Sequence, residues 1–149
     1  KVQESARVSG ILHDIGKLVL LEFPDFFKKA KLNKQGRITQ DSEYAVLGTS
    51  HSEIGGYLLG MWGLPNEIVE AITFHHRPSI QISTKPDLLT VLHTANGLAN
   101  MCLMEMESDF GTYLDMKYLD AIGVSGYLDE WLSITHQVLD NTDNDQVQT

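Results

Sequence analysis

Along most of the chain apolar residues return every three or four positions, and no stretch alternates strictly over six residues, so the pattern predicts an all-α domain. A first helix is predicted over 3–22, stopped by Pro24, with a short one over 25–32 before a polar loop around Asn33 and Gly36. The next runs over 41–47 and breaks at Gly48. Ser50-His51-Ser52-Glu53 then reads as a capping box, the serine accepting from the free amides and the glutamate returning to the cap, and opens a helix that ends near Trp62-Gly63. Pro65 opens another, to His76, with Pro78 just beyond. A long apolar helix is predicted over 86–106, and amphipathic ones over 114–122 and 127–139. The last ten residues, 140–149, read as a polar, mobile tail, leaving 1–139 as one domain.

Composition narrows the class. A chain of 149 residues that is 42% hydrophobic can bury one genuine core. Apolar runs fall short of the roughly 18 residues a membrane span needs, and no signal-peptide pattern opens the chain, which predicts a soluble protein. The single cysteine, Cys102, is expected reduced in the core, which suits the cytoplasm. The net charge of −9 argues against general nucleic-acid binding. Basic residues gather early, at Lys28, Lys29, Lys31, Lys34 and Arg37; they could dock an acidic partner or phosphate, but a solvated face is the favoured reading and no site is assigned to them.

Within the first helix Gly10, His13, Asp14 and Lys17 stand at i, i+3, i+4 and i+7 and so form one stripe, while Ile11, Leu12, Ile15, Leu18 and Val19 cover the rest. A helix apolar round most of its circumference is buried, so the stripe must face an interior or a cleft that supplies partners. Gly10 and Gly16 each cost about 1 kcal/mol against alanine, which points to close backbone approach or room for a ligand. His51 at the first position of its helix favours the neutral imidazole that a metal requires. His75 and His76 end theirs, where the dipole favours imidazolium and a cationic cap. His93 reads as a satisfied core histidine and His136 as surface. A chance His-Asp pair is expected about 0.4 times in such a composition, so the dipeptide by itself proves nothing. Imidazoles with a carboxylate suit Zn, Fe, Mn or Ni, and a paired-metal site activates water for phosphoester hydrolysis. Spacing alone leaves a metal site and a ligand-free polar network equally open.

The order of motifs is more specific than any one of them. GILHDIGKLVL, then Glu43 and HSEIGGYLLGMWGLP, then NEIVEAITFHHRP, then LLTVLHTANGLAN resembles the HDOD family, a branch of the HD-domain superfamily, and is similar more distantly to the HD-GYP phosphodiesterases. The resemblance implies an all-α domain with a metal cleft. His13 and Asp14 match the dyad, Lys17 the lysine after it, His51 the histidine opening the next ligand-bearing helix, and His75-His76 the paired histidines. Asp14 would then bridge two metals and Lys17 would steady an attacked phosphate. Two departures weaken that picture. The upstream ligand histidine has no counterpart in residues 1–12, as though the family's front helices were missing, and the closing aspartate reads Ala95-Asn96. An amide brings no charge, and each lost unit pairing at 4 Å is worth about 4 kcal/mol before desolvation. The resemblance therefore implies a bacterial cytoplasmic signalling module, non-catalytic, binding protein partners, with at most one divalent transition metal on Asp14, His51 and His75 or His76. The alternative is a metal-dependent phosphohydrolase acting on a phosphate-containing ligand. Uncovered apolar faces would suit a homodimer.

Overall fold

The structure, a computed structural model, describes residues 2–33, 36–103 and 110–146, with side chains described as far as residue 141. The described residues are helical, with no strand among them beyond one isolated bridge between Leu32 and Ile38. The helices are α1 (Val2–Leu12), α2 (Ile15–Leu20), α3 (Pro24–Lys29), α4 (Gln40–Leu47), α5 (His51–Met61), α6 (Asn66–Phe74), α7 (Leu88–Leu103), α8 (Phe110–Tyr113), α9 (Met116–Ala121) and α10 (Leu128–Gln146). Short 3-10 turns at Pro78–Ile80 and Ser125–Tyr127 link the later ones. None of the described helices is long and apolar enough to cross a membrane.

Local chemistry sets several boundaries. Ser50 Oγ accepts from the Glu53 amide and Glu53 returns to the Ser50 amide, so the capping box that opens α5 is complete. Thr39 caps α4 through the Ser42 amide, and Gly48 ends it at φ 72°, a left-handed conformation that costs glycine little. Asp115 caps α9 through the Tyr118 amide at 3.1 Å.

Two apolar clusters meet on α7. Its N-terminal half gives Leu89 and Leu92 to a cluster with Leu59, Ile68, Ala71 and Ile72. The C-terminal half gives Leu98 and Met101 to one with Leu114, Tyr118, Leu119, Ile122, Val124 and Leu128. α5 lies against both α2 and α6. The α2–α5 crossing is a backbone contact, because a Cβ on Gly16 would overlap the His51 carbonyl.

The predicted first helix is in fact two. α1 stops at Leu12, where His13 Nδ1 turns back on the Gly10 carbonyl at 2.8 Å, and α2 starts after Asp14, whose own carbonyl accepts from the Lys17 amide at 2.9 Å. Gly10, His13, Asp14 and Lys17 therefore share no single helical face. Nor is the segment wrapped in protein, since Ile11 is 81% and Leu18 60% exposed. Gly10 has open space where a side chain would go, so only Gly16 serves close approach.

Other boundaries move for similar reasons. α3 ends at Lys29 because Ala30 is extended, and the segment predicted over 114–122 divides at Asp115, the cap of α9. α7 runs to Leu103, and 104–106 lie outside the described residues. α10 continues through the stretch read as a tail as far as Gln146. Cys102 is half-buried rather than in the core, and His136 is half-buried rather than on the surface, its Nε2 3.8 Å from Cys102 Sγ.

Candidate metal centre

The break between α1 and α2 aims Asp14 at the start of α5. There it meets His51, the first residue of α5, and His75 and His76, which follow the last turn of α6. One ligand atom from each of Asp14, His51, His75 and His76 falls within 4.8 Å of the others. His13 lies beside this group rather than in it: its ring packs edge-on against His75 at 5.2 Å between centroids, and its Nε2 is 3.4 Å from Asp14 Oδ2.

Neighbouring groups orient the imidazoles. Glu43, on α4 and only 2% exposed, accepts from the His51 amide at 2.8 Å and from His51 Nδ1 at 2.8 and 2.9 Å. His51 Nε2 is thereby aimed at Asp14 Oδ1, at 3.3 Å, and at His76 Nε2, at 3.2 Å. His75 Nδ1 donates to the Ile72 carbonyl at 2.7 Å, which leaves Nε2 of the same ring as a lone pair. Outer partners that hold one ring nitrogen and present the other are the usual support of histidine metal ligands.

Charge is unequally distributed over the cluster. Burial works against ionisation of Asp14, but hydrogen bonding from His51 and Lys17 and the charge on Lys17 hold its carboxyl far below the ordinary range. For His51 burial opposes the cation, and Asp14 and Glu43 outweigh it, so its pKa is raised. His75, fully buried, is pushed down to about 3 by burial and then by the charges of His13 and His51. His76 is open to the cavity on one side, yet the protein round its ring, then His75 and His51, lower its pKa too. The cationic cap expected of the His75-His76 pair is therefore corrected: both rings are neutral ligand candidates, because His75 is buried and the protein packed round His76, with the neighbouring imidazoles, disfavours the charge there.

Do these residues fit a metal? His75 Nε2 is buried with no hydrogen-bond partner, and so is Asp14 Oδ1, which has His51 Nε2 at 3.3 Å without a bond of good geometry. A divalent cation between these atoms would serve both, and binding would displace the His51 proton. The donor set of three imidazoles and one carboxylate is one that Zn, Fe, Mn and Ni accept. The residues fit one such ion.

The remaining predicted positions lie round a cavity of about 450 Å³ that Asp14, His51 and His76 border. Lys17 is on its wall, and its Nζ donates to Asp14 Oδ2 at 2.6 Å. Asn96, where the family pattern expects an aspartate, is also on the wall, its Oδ1 accepting from Asn100 Nδ2 at 3.0 Å.

Two supporting residues were not assigned from the sequence. Glu43 stood in the motif string without a role, and only the contact between α4 and His51 reveals one. His93 was read as a satisfied core residue, and so it is: buried, its Nδ1 donates to the His75 carbonyl at 2.7 Å while Nε2 accepts from the Asp115 amide at 2.9 Å. It thus fixes the backbone of the turn that carries His75.

The family model of the HDOD domain matches residues 1–78, just over half of the chain and the whole of the Asp14, His51, His75 and His76 cluster. The chain belongs to the HDOD family. No curated protein and no solved structure matches it.

Proposed function

We propose that this chain is a regulatory module of a bacterial cytoplasmic signalling system, without catalytic activity, that engages protein partners through its helical surface and holds one divalent transition metal on Asp14, His51, His75 and His76. The two core clusters, joined through α7, support a single domain through residue 139. The state of Asp14 carries the reading. Oδ2 is taken by Lys17 at 2.6 Å, with His13 beside it, which leaves Oδ1 to face His51 at 3.3 Å. A carboxylate so engaged favours one metal over two, and a lysine so engaged is not presented to a substrate phosphate. Asn96 adds no charge for a second ion.

A metal bound there would supply Lewis acidity, polarising a bound water or phosphoryl oxygen. In the module it cross-links α2, α5 and the end of α6. Elemental analysis after stringent dialysis is expected to give one transition metal per chain, lost in Asp14→Ala and in His75→Ala. The metal-replete protein is expected to leave cyclic dinucleotides and nucleoside monophosphates intact. Cleavage that disappears in Asp14→Ala would overturn the non-catalytic reading.

It would instead establish the second reading, a metal-dependent phosphohydrolase, which one observation favours: Lys17 and three of the cluster residues border the same cavity. Lys17 would then leave Asp14 and stabilise the anionic substrate.

A further inference from the structure

Arg37, on the cavity wall, is held differently from Lys17, Lys28 and Arg77. Lys17 pairs with Asp14, Lys28 with Asp25 and Arg77 with Asp41, at 2.6, 2.8 and 2.7 Å. Arg37 Nη1 instead donates to an amide oxygen, Asn100 Oδ1, at 2.7 Å, and among the described residues no carboxylate pairs with it. Asn100 is itself held from below, its Nδ2 donating to the carbonyl of Asn96 at 2.8 Å and to Asn96 Oδ1 at 3.0 Å, one turn back on α7. At the other end the backbone of Arg37 is pinned, its amide donating to Asn33 Oδ1 at 2.9 Å and its carbonyl accepting from the Asn33 amide at 2.8 Å. The guanidinium is therefore positioned on the cavity wall by neutral groups that leave its charge uncompensated, in a chain whose net charge is −9. Such an arrangement is preorganised for a bidentate oxyanion.

We propose that the cavity between Arg37 and Lys17 binds a small phosphorylated molecule of nucleotide size, its phosphate on Arg37, with Asn96 and Asn100 as positioning residues. A volume of about 450 Å³ suits such a ligand and exceeds what phosphate alone would fill. Asn96 then has a purpose that an aspartate would spoil, because a carboxylate at its place would bring a negative charge beneath the guanidinium's support. The proposal deepens the regulatory reading by naming its ligand class, and it does not require the metal.

The test is calorimetric binding of inorganic phosphate and of the four nucleoside 5′-monophosphates to the intact chain. Phosphate is expected to bind weakly and at least one nucleotide more tightly, with affinity falling as salt rises. Arg37→Met is expected to weaken both by about tenfold or more, Asn96→Asp likewise, Arg37→Lys by less, and Lys28→Met not at all. Arg37 is exposed and Asn96→Asp is isosteric, so both variants should fold. Absence of binding by every probe, affinities untouched by Arg37→Met, or phosphate binding with all nucleotides excluded would each overturn the proposal. Metal content measured on the same samples separates the two readings: a metal-free protein that still binds nucleotide through Arg37 would strike the metal assignment alone.

Discussion

Glu43 places both of its oxygens on His51, one residue away from any ligand atom of the cluster. It supplies charge, which helps raise the pKa of His51, and direction, which aims Nε2 at Asp14. Glu43→Gln keeps the shape and removes the charge, so metal affinity should fall by about 10- to 100-fold, as when outer supports of metal-binding histidines are removed. Competition against a chelator measures this, and an unchanged affinity would refute the role. The ligand candidates themselves were legible, since Asp14, His51, His75 and His76 all stand in motifs. Their supports were less so. A hydrogen bond between residues 43 and 51 leaves no periodic trace, and neither does the bridge that His93 makes to His75.

Among the elements, α2 and α5 do most to set the cluster's geometry, because they touch backbone to backbone at Gly16. Gly16→Ala should cost about 1–3 kcal/mol through overpacking and weaken metal binding as α2 is pushed from α5. Gly10→Ala should do the reverse: α1 is open there, so the better helix former stabilises by about 0.5–1 kcal/mol. Chemical denaturation of the pair decides the matter, and equal signs would contradict this account. The sequence marked both glycines as departures from a good helix but could not say which one met a neighbour. It also read the capping box of α5 correctly, because Ser50 and Glu53 act on amides within three residues. It missed the break at His13–Asp14, where the 3.6-residue period continues across a turn that ring and backbone hydrogen bonds create.

For the whole molecule, the buried imidazoles make stability depend on pH. His75 and His93 are both lowered by burial, so below the unfolded value of about 6.5 the unfolded chain binds more protons than the folded one. The metal-free protein should therefore lose stability as pH falls from about 6.5, by up to about 1.4 kcal/mol per pH unit for each histidine, and for His75 down to about 3. His51 acts oppositely: its raised pKa contributes stability that is present below about 6.5 and lost as pH rises through the folded value, which offsets part of the slope. Urea midpoints of chelator-treated protein at pH 7, 6 and 5 check the sign, and stability that increased toward pH 5 would contradict it. Added metal should stabilise most at neutral pH, where protons no longer compete for the rings. By itself the sequence determined the all-helical class, the capping box of α5 and the family, because periodicity, that box and motif order are written in neighbouring residues. The tertiary structure alone decided that four side chains from three parts of the chain share one point, that Glu43 and His93 hold them there, and that Arg37 faces the same cavity on neutral supports. Those facts depend on where helices cross, and crossings are set by packing between residues far apart in the chain.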